Sequence, residues 1–166
     1  MKFIHYLFLT VLLFNSCDKP INENKIEKLF KEGVSERANK NLMNSINIFN
    51  DIYKNSPNSK FASLSQYQIG DIYLNDIKNY QIALEKFRSV FNKYPNTESG
   101  KISLFLCGYI SNNYLNEFST AYDYYNTFKE TYPDDSLIFS VDYELFDPNT
   151  GLKNYIQVID SLKLIN

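Results

Sequence analysis

Residues 67–95 read YQIGDIYLNDIKNYQIALEKFRSVFNKYP, from Tyr67 to Pro95. In the second half, Tyr80, Ala83, Phe87 and Val90 step by three or four, which is one face of an amphipathic helix. The run stops at Pro95, because proline disfavours α geometry in the residue before it. The same stop recurs on both sides. Pro57 closes YKNSPNS and Pro133 closes KETYPDD, each 38 residues from Pro95. A stop signal at fixed period marks a repeat architecture.

Three copies superpose at this period. Leu42, Tyr80 and Phe118 share a column, as do Ser45, Ala83 and Ala121. Phe49, Phe87 and Tyr125 form the next, followed by Ile52, Val90 and Phe128. Asn41 and Asn79 precede the first column, where a side-chain oxygen can cap a helix; Glu117 takes that place in the third copy. A second helix is expected ahead of this one, carrying Gly33, Gly70 and Gly108. Glycine costs a helix interior about 1 kcal/mol against alanine, so its recurrence needs a packing reason. Each copy therefore reads as a helical hairpin, small residues meeting near the turn and aromatics filling the wider gap one turn lower.

These positions carry a resemblance. Glycine near the eighth position, alanine near the twentieth, an aromatic near the twenty-fourth and proline near the thirty-second resemble the tetratricopeptide repeat. The third copy, FLCGYISNNYLNEFSTAYDYYNTFKETYP, is similar; the first, Ile26 to Pro57, departs at Glu32 and Glu36. All three lack the bulky tryptophan of the wider family. The long period and the YPNT and YPDD ends resemble the cell-envelope repeat lipoproteins of the outer-membrane assembly type (BamD) and the Tol–Pal-associated type (YbgF, or CpoB). The fold this implies is an all-α solenoid of three hairpins over residues 25–133. Residues 134–166 are expected to cap the open end, with DSLIFSVDYELF and LKNYIQVIDSLKLI as helices around the turn Asp147–Gly151.

Composition narrows the chemistry. The chain has 166 residues, room for one domain, and 44% of them are hydrophobic. Five Gly and five Pro are too few for a many-turned β fold. A net charge of −2 offers no basic footprint for nucleic acid. The only histidine, His5, lies in a segment expected to be removed. Without it, Ser-His and Cys-His catalysis and most zinc sites are excluded.

That segment, MKFIHYLFLTVLLFNSC, has a positive start at Lys2, an apolar stretch to Phe14 and Cys17 at its end. This is the layout of a secretory signal. It is too short to span a bilayer, which needs about 20 apolar residues. Leu13 to Cys17 resembles a bacterial lipobox. The resemblance implies cleavage after Ser16 and lipidation of Cys17, with residues 17–24 as a tether to a periplasm-facing membrane, the outer membrane being expected. Cys107 would then be the sole thiol, so no intrachain disulfide is expected.

No other motif brings catalytic chemistry. DPNTG is a poor calcium loop, because its twelfth position is Val158 rather than Glu. Cys107 lies on an apolar helix face, as a buried inert thiol would. No cofactor or metal is expected. By the resemblance, the first helices line a concave face, with exposed inner positions at Phe30, Val34, Arg37, Tyr67, Asp71, Leu74, Phe105, Tyr109 and Asn112. Aromatic anchors among a few polar groups suit an extended peptide or helix. The expected function is a lipid-anchored, non-catalytic protein-binding module of the bacterial envelope, serving outer-membrane assembly or maintenance. The alternatives are an exported homo-oligomeric scaffold or an accessory subunit of an envelope enzyme.

Overall fold

The computed structural model describes residues 22–146 and 151–163. The leader, Cys17, most of the tether and Asp147–Thr150 of the turn lie outside the described residues. Among those described there are eight α-helices, one π-helical segment and no strand. The first hairpin is α1 (Glu23–Ala38) and α2 (Leu42–Asn55). The second is α3 (Lys60–Asp71), continued by the π-helical segment Ile72–Ile77, and α4 (Tyr80–Lys93). The third is α5 (Glu98–Asn113) and α6 (Phe118–Thr131). Two further helices follow, α7 (Ile138–Phe146) and α8 (Gly151–Lys163). Glu23 and Asn24, expected in the tether, are already in α1, and Gly151, expected in the turn, opens α8.

The period of 38 is written into the backbone. Helices α2, α4 and α6 begin and end in step and each has 14 residues. Each is followed by a residue outside the α region, Ser56, Tyr94 or Tyr132, as the next proline demands. Ser59 and Thr97 then cap α3 and α5 through their hydroxyl oxygens. The hairpin turns repeat as well: Lys40, Lys78 and Asn116 adopt left-handed φ of 64°, 60° and 55°. Asn79 Oδ1 accepts from the Ile82 N–H, whereas Asn41 makes no capping bond. The Asn41 amide donates instead to Glu36, so that expected cap is not formed.

One residue breaks the symmetry. From glycine to the left-handed residue, the second and third hairpins are one residue longer than the first. The second absorbs it in the π-helical segment, the third in a bond from the Leu115 N–H back five residues to the Ile110 carbonyl.

The recurring glycines have a different contact from the one expected. They face the aromatic column directly, not the small one. A Cβ added at Gly33, Gly70 or Gly108 would come within 2.8, 3.0 or 2.6 Å of the ring of Phe49, Phe87 or Tyr125. These rings are fully buried, as are Ser45, Ala83 and Ala121. Ser45 Oγ also donates to the Gly33 carbonyl at 2.7 Å. Burying each Phe contributes about 1.5–3 kcal/mol, so missing Cβ atoms are a small loss.

The core runs from hairpin to hairpin. One cluster joins Phe49 and Ile52 to Phe61, Ile69 and Ile72; the next joins Phe87 to Cys107 and Ile110. The last joins Tyr125 and Phe128 of α6 to Val141 and Leu145 of α7 and Leu152 of α8. Each hairpin thus buries its open side on the one after it, as a solenoid must. Along one edge, the Tyr94 hydroxyl donates to the Pro57 carbonyl at 3.2 Å, and Tyr132 to Pro95 at 2.6 Å. At the end, α7 leaves Phe139, Tyr143 and Phe146 exposed by 83%, 66% and 64%. A terminal cap ordinarily turns a polar face outward; this one is aromatic.

Candidate interaction groove

The inner positions of α1, α3 and α5 divide into three kinds. Phe30, Tyr67 and Phe105 are half-buried and pack on the second helices. Phe30 lies 5.3 Å from both Phe49 and Phe61, Tyr67 meets Phe87 edge-on at 5.4 Å, and Phe105 tilts on Tyr125 at 6.1 Å. Val34 is open, 43% exposed. Tyr109 is half-buried; it stacks on Phe105 at 6.3 Å and meets Tyr114 edge-on at 5.9 Å. Tyr114 in turn stacks on Tyr80 at 4.1 Å. An aromatic lane therefore runs from Phe105 to the turn of the third hairpin.

The third kind bridges hairpins. Arg37, Leu74 and Asn112 stand four residues after their glycines. Arg37 donates to Gln68 at 3.1 Å, and its guanidinium pairs with Asp71 at 2.6 Å and Asp76 at 2.7 Å. Burial opposes the Arg37 charge, but the two carboxylates outweigh it and hold its pKa above the usual value. Leu74 joins the cluster against which Leu106 packs. Asn112 donates to Glu144 of α7 at 3.1 Å.

Gln68 and Leu106 stand two residues before their own glycines, and Glu144 occupies the corresponding place in α7. One rung therefore recurs between successive first helices: polar, apolar, polar. Leu74 and Asn112, expected to be exposed, are only 7% and 3% exposed, because the next first helix covers them. Arg37 and Asp71 are accessible in part but satisfy each other.

The sequence reading missed Gln68, Asp76 and Glu144. The only signal for Gln68 and Glu144 is a fixed offset from the glycine column, and it appears once the first helices are known to touch there; Asp76 carries no such signal. Burial pushes the Tyr67 hydroxyl pKa up, helped by Asp71, and does the same at Tyr109, helped by Tyr114 and Glu144. Cys107 is fully buried, which raises its thiol pKa and keeps it protonated. Among the described residues no group of His, Cys, Asp and Glu could hold a metal ion, and no helix is long and apolar enough to cross a membrane.

What the geometry offers is a partly exposed aromatic lane flanked by carboxylates, suited to holding another chain.

Residues 64–97 match the family model described as tetratricopeptide repeat. No curated protein matches the chain. The matched stretch spans the second half of α3, the π-helical segment and α4, and the hairpins before and after it repeat the same glycine-on-ring contact. The chain is thus an all-α solenoid of the tetratricopeptide-repeat type.

Proposed function

We propose that this protein is a non-catalytic protein-binding module of a bacterial cell envelope. In this reading residues 1–16 export the chain, Cys17 carries the lipid anchor, and the solenoid captures a partner in assembly or maintenance of the outer membrane. The observation that carries the binding role is the lane Phe105–Tyr109–Tyr114, partly exposed on a repeat fold whose general use is protein interaction. Rigid aromatics of this kind anchor interfaces at low entropic cost. The anchor rests on the lipobox-like Leu13–Cys17. Two or more acyl chains, each stabilised by about 0.8 kcal/mol per buried CH₂, would hold the domain at the membrane.

Site-specific photocrosslinking in intact cells tests the binding role. A benzophenone side chain at Tyr109 should capture a partner, and one at the exposed Glu85 of α4 should not. Capture from Glu85 alone would place the working surface on the other side. Metabolic labelling with a fatty acid tests the anchor: Cys17→Ala should abolish the label. A second reading, an exported homo-oligomeric scaffold, draws on the exposed Phe139, Tyr143 and Phe146 of α7. Sedimentation of wild type against Tyr143→Ser separates the two.

A further inference from the structure

Helix α7 stands in the register of a fourth first helix. The Asp135 carboxylate accepts from the Leu137 N–H at 2.9 Å, at the place where Ser59 and Thr97 cap α3 and α5. Asn112 reaches Glu144 as Arg37 reaches Gln68, and Tyr132 reaches Pro95 as Tyr94 reaches Pro57. In that register Tyr143 takes the place of Phe30, Tyr67 and Phe105, and Phe146 takes the place of Gly33, Gly70 and Gly108. By these two places each first helix holds its own second helix. The glycine meets the ring of Phe49, Phe87 or Tyr125, and the aromatic three residues earlier packs on the same ring.

On α7 the same face is open. Phe139, Tyr143 and Phe146 are 83%, 66% and 64% exposed, whereas the three glycines are buried and Phe30, Tyr67 and Phe105 half-buried. Helix α8 does not take the seat. The first helix α5 runs on past Gly108 to Asn113, but α7 stops at Phe146, and α8 folds back on α6. There Gly151 lies against the Phe118 ring and Tyr155 meets Tyr122 edge-on at 6.4 Å. Phe146 also changes what the seat accepts. Every second helix of this chain brings a ring to the glycine place, and the rings already lie within 3.0 Å of an added Cβ. Two rings cannot share that space.

We propose that Phe139, Tyr143 and Phe146 seat an amphipathic helix of a partner protein, antiparallel to α7 as α2, α4 and α6 are to their first helices. Three anchors at i, i+4 and i+7 are the usual footprint of a docked helix. The chemistry of the occupant is the complement of Phe146. It has small residues (Gly, Ala or Ser) at the places of Ala83 and Phe87, and a large apolar residue at the place of Val90, over Phe139. Ile26 stands seven residues before Gly33, as Phe139 does before Phe146, and packs in one cluster with Ile52 of α2. A second copy of the chain offers no such helix, because its α2, α4 and α6 carry buried rings at the decisive place. The three rings also present roughly 300–500 Å², which suits one helix and falls short of the about 800 Å² a side of a stable dimer. The seat stands on α7 and does not depend on the lane Phe105–Tyr109–Tyr114.

The test uses two stapled 14-residue peptides with the α4 sequence Tyr80–Lys93, one unchanged and one with Phe87→Ala. The staple supplies the helix that so short a peptide would not hold alone. Fluorescence anisotropy measures their binding to the full chain. Wild type should bind the Phe87→Ala peptide, and the unchanged peptide at least about tenfold more weakly. Phe146→Gly restores the glycine place and should reverse that order. Tyr143→Ser should lose both peptides, and Tyr109→Ala should change neither. Phe146 and Tyr143 are exposed, so melting curves should stay at the wild-type midpoint.

An order of preference that Phe146→Gly leaves unchanged would overturn the seat, as would the failure of both peptides to bind wild type. Loss of the peptide in Tyr109→Ala would move it to the lane and overturn the seat while leaving the binding role standing. Self-association of wild type that Tyr143→Ser abolishes would give the face to a second copy instead.

Discussion

Gly108→Ala should destabilise the protein, although alanine is the better helix former. In the α5 interior the exchange gains about 1 kcal/mol of helix propensity. Against it stands the ring of Tyr125, whose nearest atom would lie 2.6 Å from the new Cβ, with two more at 2.8 and 2.9 Å. Tyr125 has nowhere to move, since it is fully buried between α5, α6 and α7. Overpacking of this kind costs about 1–3 kcal/mol, and the short contact argues for the upper half. The net loss is then about 1–2 kcal/mol. For a chain of this size that lowers the thermal midpoint by about 2–8 °C.

The other two glycines calibrate the argument. Gly33→Ala meets Phe49 at 2.8 Å and should cost less; Gly70→Ala meets Phe87 at 3.0 Å and should be nearly neutral. Urea denaturation of the three variants gives the ranking, and the double variant Gly108→Ala/Tyr125→Leu checks the cause. Removing the ring should make the added methyl harmless, a coupling of at least about 1 kcal/mol. A Gly108→Ala protein more stable than wild type, or a double variant with additive losses, would refute close packing as the reason for the glycine column.

Three further outcomes are expected. Lys78→Gly should raise stability by about 0.5–1 kcal/mol in urea melts, because Lys78 is exposed and sits at φ 60° where a Cβ is strained. Arg37→Met, which keeps the stem but not the charge, should cost about 1–2 kcal/mol by leaving Asp71 without its cation and Asp76 with Lys40 alone at 3.5 Å; an unchanged urea midpoint would mark that clasp as incidental.

The Lys101–Asp135 pair should be pH-sensitive at both ends. The Lys101 bond, then the Leu137 N–H, hold the Asp135 carboxyl below its ordinary value, so its stabilisation is present above about pH 4 and lost as pH falls through the lowered pKa. Hydrogen bonds to Asp135 and Glu98 push Lys101 up to about 12, so its contribution is present below its ordinary pKa and lost as pH rises toward about 12. The stability gap between wild type and Asp135→Asn should therefore close in acid; a gap constant down to pH 2 would contradict the pairing.

The repeat itself was legible in the chain, because its determinants are local. A proline ends a helix through its own ring, and the columns from Leu42, Tyr80 and Phe118 onward set which helix face is buried. Both act within a few residues, and the starts and stops of α2, α4 and α6 follow them. The glycine column was visible too, but not what it touches. That contact depends on the angle at which two helices cross, and the structure puts a ring where a small residue was expected.

Only the tertiary structure decided the surface. Leu74 and Asn112 occupy inner positions of their helices, yet the next first helix covers them, because the residue four after one glycine meets the residue two before the next place. Asn41 is a good capping residue by type, but Glu36 is near enough to take its amide. Local sequence sets which residues form a helix and which face is apolar. Exposure is set by the neighbour that arrives from 30 or more residues away, as Glu144 arrives over Asn112.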